Sequence, residues 1–510
     1  MSRVIVRNVF ANWMGMAVGM AAAFLMSPFL VHRLGDTMYG LWVLLLALTG
    51  YMGLLDAGLK VSVVKYVSKY SAEGDMQSLS RTVSTVLMLH GGIALIILAT
   101  ALTAAPFLPR LLSIPPEAVP VARIVLVITA INLAITLGMS VFNGVLAGMQ
   151  RYDRANMIGV GIVIARSLVI FLVVSQGMGI IGLGLVQTAA NLASGLLLMR
   201  AAFQVVPGMQ VRVSLVDRTT VRALYGYGSF VLLNNLAMFM LFQSAEVVIG
   251  TFLSVASVTY YAIGASLLYY LSQLIGVMTQ VLHPYAAAQE ARGESTALRR
   301  TVVIGTKVCL IIALPATITF MLAGGHFIEL WMGAKYAAVA GPLIVVLAIG
   351  RVFWLSQSSS GNVLLGAGRH KLLTIANLAT GVAGLGLGII LIRRMGLMGL
   401  AIGMTIPMVI IQGLVLPRLT MRTFSIPFRE LAWEGYLQPL LATVPYAVGL
   451  AVLLRLRSPQ SLIELALMLL SVSPLLIAGI WLIAFSRDQR RAIWEACSKW
   501  LPVPAPQGSR

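Results

Sequence analysis

The chain has 510 residues, of which 59% are hydrophobic and only 10% charged, and its mean hydropathy is +0.93. Soluble domains carry about 25% charge, so this composition excludes an ordinary soluble fold. The net charge of +20 would suit nucleic acid, but the bases are distributed by loop rather than clustered on one segment. Cys309 and Cys497, far apart in sequence, offer neither a disulfide framework nor a metal cluster.

Fourteen apolar stretches of about 20 residues, each able to cross a ~30 Å hydrocarbon core, follow one another along the chain. They run near 8–31, 38–58, 82–104, 119–145, 155–175, 179–199, 226–250, 256–284, 301–324, 341–366, 372–391, 397–416, 437–454 and 461–485. Arg3 and Arg7 lead into a first stretch too long for a signal-peptide core. With the N-terminus inside, 25 Lys and Arg fall in cytoplasmic segments, 7 in outer loops and 4 within spans. That is the positive-inside pattern, and it predicts both termini in the cytoplasm. The basic balance then reports topology and attraction to anionic head groups.

The pattern divides into a first lobe over 1–202, a cytoplasmic connector over 203–225, a second lobe over 226–418, and a last part over 419–510. This last part holds a linker, two extra spans and an amphipathic tail. In the tail, Ile493, Trp494, Cys497, Trp500 and Leu501 share one face, the pattern of an interfacial helix. The lobes repeat each other. Met178-Gly179-Ile180-Ile181-Gly182-Leu183-Gly184 recurs as Met395-Gly396-Leu397-Met398-Gly399-Leu400-Ala401, and Val145-Leu146-Ala147-Gly148-Met149-Gln150-Arg151 as Val363-Leu364-Leu365-Gly366-Ala367-Gly368-Arg369. Tyr39-Gly40 and Tyr261-Ala262 keep nearly the same offset. An even number of spans per copy makes the repeat parallel, an arrangement that suits alternating access. The predicted fold is all-α and polytopic, with about fourteen transmembrane helices: two six-helix lobes and two extra C-terminal helices.

Charges inside spans are costly and functional by default. Arg166 and Arg351 lie near the middle of the fifth and tenth spans, one per lobe. Their planar guanidiniums suit phosphate oxygens. Lys307, near the cytoplasmic start of the ninth span, can snorkel or join them as a third anion contact. Arg123 has the same escape at the outer end of the fourth span. Glu246 is the one acid well inside a span, suited to carry a coupling proton, bind sodium or pair with an arginine. Asn234 and Asn235 in the same span read as interhelical hydrogen-bonders. Asp56 stands four residues before Lys60, an i,i+4 ion pair on a continuous helix. Lys60, Lys65 and Lys69 would gather anionic head groups at a cytoplasmic entrance or merely set topology. His90 and His283 read as core or interfacial residues. The chain has no G-x-x-x-x-G-K-[ST], H-E-x-x-H or G-x-S-x-G, and its outer loops hold little acid–base material, so no catalytic activity is expected.

Several runs resemble a known family. Asn12, Pro28-Phe29-Leu30 and Arg33-Leu34-Gly35-Asp36-Thr37-Met38-Tyr39-Gly40-Leu41-Trp42 are similar to the opening of polysaccharide transporters. So are Leu54-Leu55-Asp56-Ala57-Gly58-Leu59, Lys65-Tyr66 and Leu146-Ala147-Gly148-Met149-Gln150-Arg151-Tyr152-Asp153. Glu246-Val247-Val248-Ile249-Gly250-Thr251-Phe252-Leu253 also resembles a stretch there, which more often has Asp where this chain has Glu246. The family is the O-antigen and exopolysaccharide flippases of the multidrug/oligosaccharidyl-lipid/polysaccharide superfamily. The resemblance covers residues 1 to about 420 and is strongest in the first 75.

The resemblance implies two six-helix lobes around a central cavity, in a bacterial inner-membrane protein. It implies transport of undecaprenyl-pyrophosphate-linked oligosaccharide from the cytoplasmic to the outer leaflet. No cofactor is implied beyond a coupling H+ or Na+. The partners would be the lipid-linked oligosaccharide, membrane lipids and polysaccharide polymerase or assembly proteins, with no nucleic acid. The two extra spans would line a groove for the lipid tail. A lipid II flippase also has fourteen spans and a cationic cavity. A multidrug/cation antiporter shares the superfamily fold but would favour acids in its cavity. A membrane glycosyltransferase or polymerase fits poorly with small outer loops and a repeat.

Overall fold

The computed structural model describes residues 3–56, 58–486 and 489–491. The tail helix expected over 487–501 therefore lies almost wholly outside the described residues. Among those residues the regular structure is helical, without a strand. Among the described residues eleven helical segments are long and apolar enough to cross a bilayer, or twelve when the bent pair Leu232–Phe242 and Ser244–Phe252 counts as one span. Two of the eleven, Trp13–Asp56 and His370–Thr423, run 44 and 54 residues. A straight helix of that length would be at least twice as long as the hydrocarbon core is thick. Each turns at a glycine with positive φ, Gly35 at 76° and Gly396 at 59°. Separate crossings on either side of those glycines would make the expected fourteen.

The sequence repeat returns as repeated backbone. At the end of the Val119–Gly148 helix, Gln150 has φ 56° and the Arg151 N–H donates to Leu146 O at 2.8 Å. After the Ser358–Gly366 helix, Gly368 has φ 73° and the Arg369 N–H donates to Leu364 O at 2.7 Å. Both are left-handed helix stops that satisfy the last carbonyls. The two Met-Gly motifs place Gly179 at φ 57° and Gly396 at φ 59°, a backbone turn that L side chains resist. A third pair joins them, and residue identity marks it too: Gly74, Leu79, Arg81, Thr82 and Val83 recur as Gly293, Leu298, Arg300, Thr301 and Val302. Gly74 and Gly293 have φ 71° and 70°, and the following Asp75 and Glu294 N–H groups donate to Tyr70 O and Gln289 O at 2.9 and 3.0 Å. The helices Met76–Ala104 and Ser295–Met332 start from these two turns.

The helices pack into two compact units, cut differently from the lobes read off the spans. The first is Met1–Ser266 with Asn377–Met404; the second is Leu267–Ala376 with Thr405–Arg510. In the first, Leu41, Leu45, Val63, Val83, Val125, Val141 and Leu146 belong to one buried cluster. Lipid tails are as apolar as leucine, so close packing rather than water exclusion holds such helices together. Gly144 and Gly148 show how: a Cβ at either would come within 2.9 Å of Val63 or Val67, so their bareness seats the Leu59–Glu73 helix. In the second unit, the hairpin Gln438–Leu456 and Leu462–Gly479 packs on the long Ser295–Met332 helix. The last helix ends in a π-helical turn, Ile480–Ala484.

Candidate functional site

Two groups of polar residues in the first unit lie at breaks in its helices. The second span stops at a 3-10 turn, Gly53–Asp56, and resumes as a helix over Leu59–Glu73. Gly58, at φ 79°, makes the join. This break corrects the expected Asp56–Lys60 pair, because i,i+4 neighbours meet only on a continuous helix. Asp56 turns instead to His90 on the Met76–Ala104 helix, with Oδ1 2.6 Å from Nε2. Lys60, Lys65 and Lys69 are all exposed on the resumed helix. Lys69 lies 3.9 Å from Glu73, and Lys65 and Lys69 each lie over a neighbouring tyrosine ring.

A second break lies between Phe242 and Ser244, where the helix axis bends by 47°. Glu246 sits in the first turn beyond it and is only 8% exposed. There the partial positive charge of the helix start favours a carboxylate. Ser244 hydrogen-bonds the Tyr51 hydroxyl, and Glu246 lies within electrostatic range of that tyrosine. Asn377 donates to Asn234 at 3.4 Å, the interhelical bond expected of that asparagine.

Arg166, half-buried in the Tyr152–Ser175 helix, donates from Nη1 to Gln187 Oε1 at 3.2 Å. Among the described residues no carboxylate lies within ion-pair distance of it, so its charge is not neutralised by a partner. Arg351 belongs to the second unit, half-buried in the Ala334–Ser356 helix, with its guanidinium 6.0 Å from the Trp354 ring centre. Arg123, near the start of the Val119–Gly148 helix, donates to Pro106 O at 3.4 Å.

Lys307 is enclosed rather than snorkelling to a surface. Its helix starts at Ser295, six residues before the apolar stretch begins, and the residue is 2% exposed. Nζ donates to Gln438 Oε1 at 2.7 Å and to Ala484 O at 2.9 Å. Both acceptors belong to the C-terminal spans. The π-helical turn at Ile480–Ala484 ends there, and the Ala484 carbonyl takes its bond from the lysine.

The second unit also holds a cavity of about 1140 Å³, which hydropathy could not reveal. Leu310, Leu314, Val352, Phe353, Trp433 and Leu440 form much of its apolar wall, and Arg418 and Arg429 also border it. Its lining residues Leu414, Phe428 and Trp433 are exposed, so the cavity has an open apolar side. Neither arginine has an acid partner among the described residues. The wall comes from the start of the first extra span and from helices of the second unit; residues of Leu462–Gly479 take no part in it.

The comparisons with known proteins agree with this architecture. A family described as "Polysaccharide biosynthesis protein" matches residues 5–289, more than half the chain. The chain belongs to that family, a multi-pass membrane family. Among individual proteins, it is 21% identical over 432 residues to a Shigella flexneri protein named "Putative O-antigen transporter", covering 83% of this chain and 99% of that one. It is also 21% identical over 357 residues to the "Uncharacterized membrane protein EpsK" of Bacillus subtilis (strain 168), covering 68% of this chain and 70% of the other. The solved structure "Lipid II flippase MurJ, inward closed conformation" matches with a TM-score of 0.70 at 13% identity, over 93% of this chain and 99% of that one. At that identity the match speaks for the fold.

Proposed function

We propose that this protein is a flippase for undecaprenyl-pyrophosphate-linked oligosaccharide, the repeat unit of an O-antigen or exopolysaccharide. It carries the unit from the cytoplasmic to the outer leaflet of the inner membrane by alternating access, with both termini in the cytoplasm. The observation that carries this reading is the open apolar cavity bordered by two exposed arginines, in a chain of the polysaccharide biosynthesis family. A polyprenyl chain is apolar and its pyrophosphate is anionic; such a ligand needs an apolar wall and guanidinium donors together. Arg166 and Arg351 are the candidates for holding the pyrophosphate within the membrane, and Lys60, Lys65 and Lys69 for attracting it from the cytoplasm. Glu246 is the candidate for a coupling H+ or Na+. Lys307, enclosed by Gln438 and Ala484, contributes by holding the extra spans in place. Polymerase and assembly proteins of the same pathway are the expected partners.

The test is reconstitution of the full chain in vesicles with a fluorescent undecaprenyl-pyrophosphate oligosaccharide in the inner leaflet. Movement to the outer leaflet is expected, with loss in the Arg418→Ala/Arg429→Ala double variant. Transport of lipid II in place of the oligosaccharide, or of an organic cation in place of either, would replace this reading.

A further inference from the structure

A titratable pair, one member buried and the other partly exposed, lies at the break in the second span. We propose that Asp56 and His90 form a proton-binding site that controls the break in the second span, and so couples protons to movement of the first unit. The proposal rests on the transport reading above for its purpose, but not for its chemistry. His90 has a fully buried side chain, and its Nδ1 has no hydrogen-bond partner among the described residues. It lies about 14 residues into the Met76–Ala104 helix, roughly 21 Å from the cytoplasmic start. Asp56 keeps 21% of its side chain exposed, which gives a proton a way in. Among the described residues each is the other's only hydrogen-bond partner.

With one proton on the imidazole Nε2, the bond to the Asp56 carboxylate leaves the pair with a charge of minus one. A second proton, bound at either residue, brings it to zero. A net charge held among apolar helices must hydrate or find a counter-ion. Among the described residues none lies at bonding distance of the pair. On the Leu59–Glu73 helix, Lys60, Lys65 and Lys69 are exposed, with Glu73, Tyr66 and Tyr70 alongside. Arg81 is near the cytoplasmic start of His90's own helix, and Arg123 near the outer start of Val119–Gly148. Arg212 and Asp217 flank the Val213–Leu215 turn, and Arg218 and Arg222 open the next helix. Tyr51, just before the break, bonds Ser244 near Glu246. Loss of the second proton therefore favours water at Asp56, and that residue ends the 3-10 turn beside Gly58 in its left-handed conformation. The backbone there already lacks continuous helical bonds, so opening costs least at this point.

Hydrogen exchange of the purified full chain, read over residues 50–65 and corrected for intrinsic rates, tests this directly. Across about pH 5 to 8, where histidine chemistry operates, wild-type protection should fall about tenfold as the pH rises. Asp56→Asn and His90→Gln should each flatten that change to less than about twofold, with melting temperatures confirming that both fold. Two variants are used because either alone could disturb packing. Unchanged pH dependence in both well-folded variants would overturn the proposal, as would a wild type whose protection does not change with pH. A pH response that the variants abolish, in a protein that moves no lipid-linked oligosaccharide, would uphold the proton site and defeat the substrate reading instead.

Discussion

His90 and Lys307 occupy similar places in repeat-related helices. Each lies about 12 to 14 residues, or some 20 Å, beyond the start of a helix that follows a left-handed glycine turn, at Gly74 or Gly293. Both side chains are buried, yet they are held differently. Lys307 spends two donors on acceptors from the extra spans, Gln438 and Ala484. Among the described residues the His90 side chain has one hydrogen bond, to a partly exposed aspartate, and a bare second nitrogen. The repeat thus supplies the same scaffold twice, and each half uses its buried base for a different purpose. A charge with its bonds satisfied on all sides fastens helices. One with an unused valence and a path to water can exchange a proton.

The largest effect should come from undoing the fastened member. Lys307→Met removes the donors for Gln438 Oε1 and Ala484 O, and each buried acceptor left unsatisfied costs about 1–3 kcal/mol. The expected result is a lower melting temperature in detergent and faster proteolysis within residues 438–484, with transport falling only as far as folded protein is lost. Gln438→Ala should reproduce a smaller version of it. A Lys307→Met protein with wild-type melting and no transport would move this lysine from a tie to a substrate contact, and the contrast with His90 would fail.

Next in size are the half-buried guanidiniums. Among the described residues Arg166 has a single side-chain hydrogen bond, to Gln187, and no acid within ion-pair distance, so its charge is available to a ligand. A charge-assisted hydrogen bond contributes about 1.5–3 kcal/mol, or roughly ten- to hundredfold in rate. Arg166→Ala and Arg351→Ala should each lower flipping by about that factor, and Arg→Lys by less, because the charge survives while the bidentate fork is lost. Complementation of a flippase-deficient strain, with surface expression checked, measures it. Wild-type surface polysaccharide from both Ala variants would remove them from the substrate path. A smaller and more selective effect is expected at Glu246: Glu246→Gln should leave downhill flipping within about twofold while removing its response to an imposed proton or sodium gradient. An unaltered gradient response would leave the Asp56–His90 pair as the remaining coupling candidate.

These contrasts mark where sequence reading succeeds and where it stops. The repeat is visible because a left-handed turn demands glycine or a tolerant residue, and that demand leaves Gly179 and Gly396, or Gln150 and Gly368, at matching offsets. The fold class follows from hydropathy and loop charge, which bilayer physics constrains tightly. The Asp56–His90 contact does not, since its members are 34 residues apart and helical periodicity points to Lys60 as the nearer partner. The run Gly53-Leu54-Leu55-Asp56-Ala57-Gly58 does carry a signal, two glycines bracketing an acid inside an apolar span. Lys307 is misplaced by hydropathy for a different reason. Hydropathy starts its span where the residues become apolar, whereas the helix starts earlier at Ser295, and its partners lie 131 and 177 positions away.

The smallest expected effect isolates the pH argument from other carboxylates. Asp217 caps the Arg218–Phe242 helix on the connector between the lobes read from sequence, accepting hydrogen bonds from the Thr220 N–H and the Thr219 hydroxyl. The Thr219 hydroxyl first, then the backbone N–H groups, pull its carboxyl down to about 2 from the ordinary 3.8. A depressed carboxyl contributes stability that is full above its unfolded value and is lost as the pH falls through the folded one. Its contribution should therefore be constant from about pH 5 upward and decline only between about pH 4 and pH 2. Asp217→Asn keeps the capping oxygen, so melting curves of the variant and the wild type should run parallel over about pH 5 to 8 and converge in acid. The exchange profile at residues 50–65 should be unaltered by this change. If Asp217→Asn flattened that profile as well, the pH response would belong to the connector's helix cap, and the break in the second span would be following it.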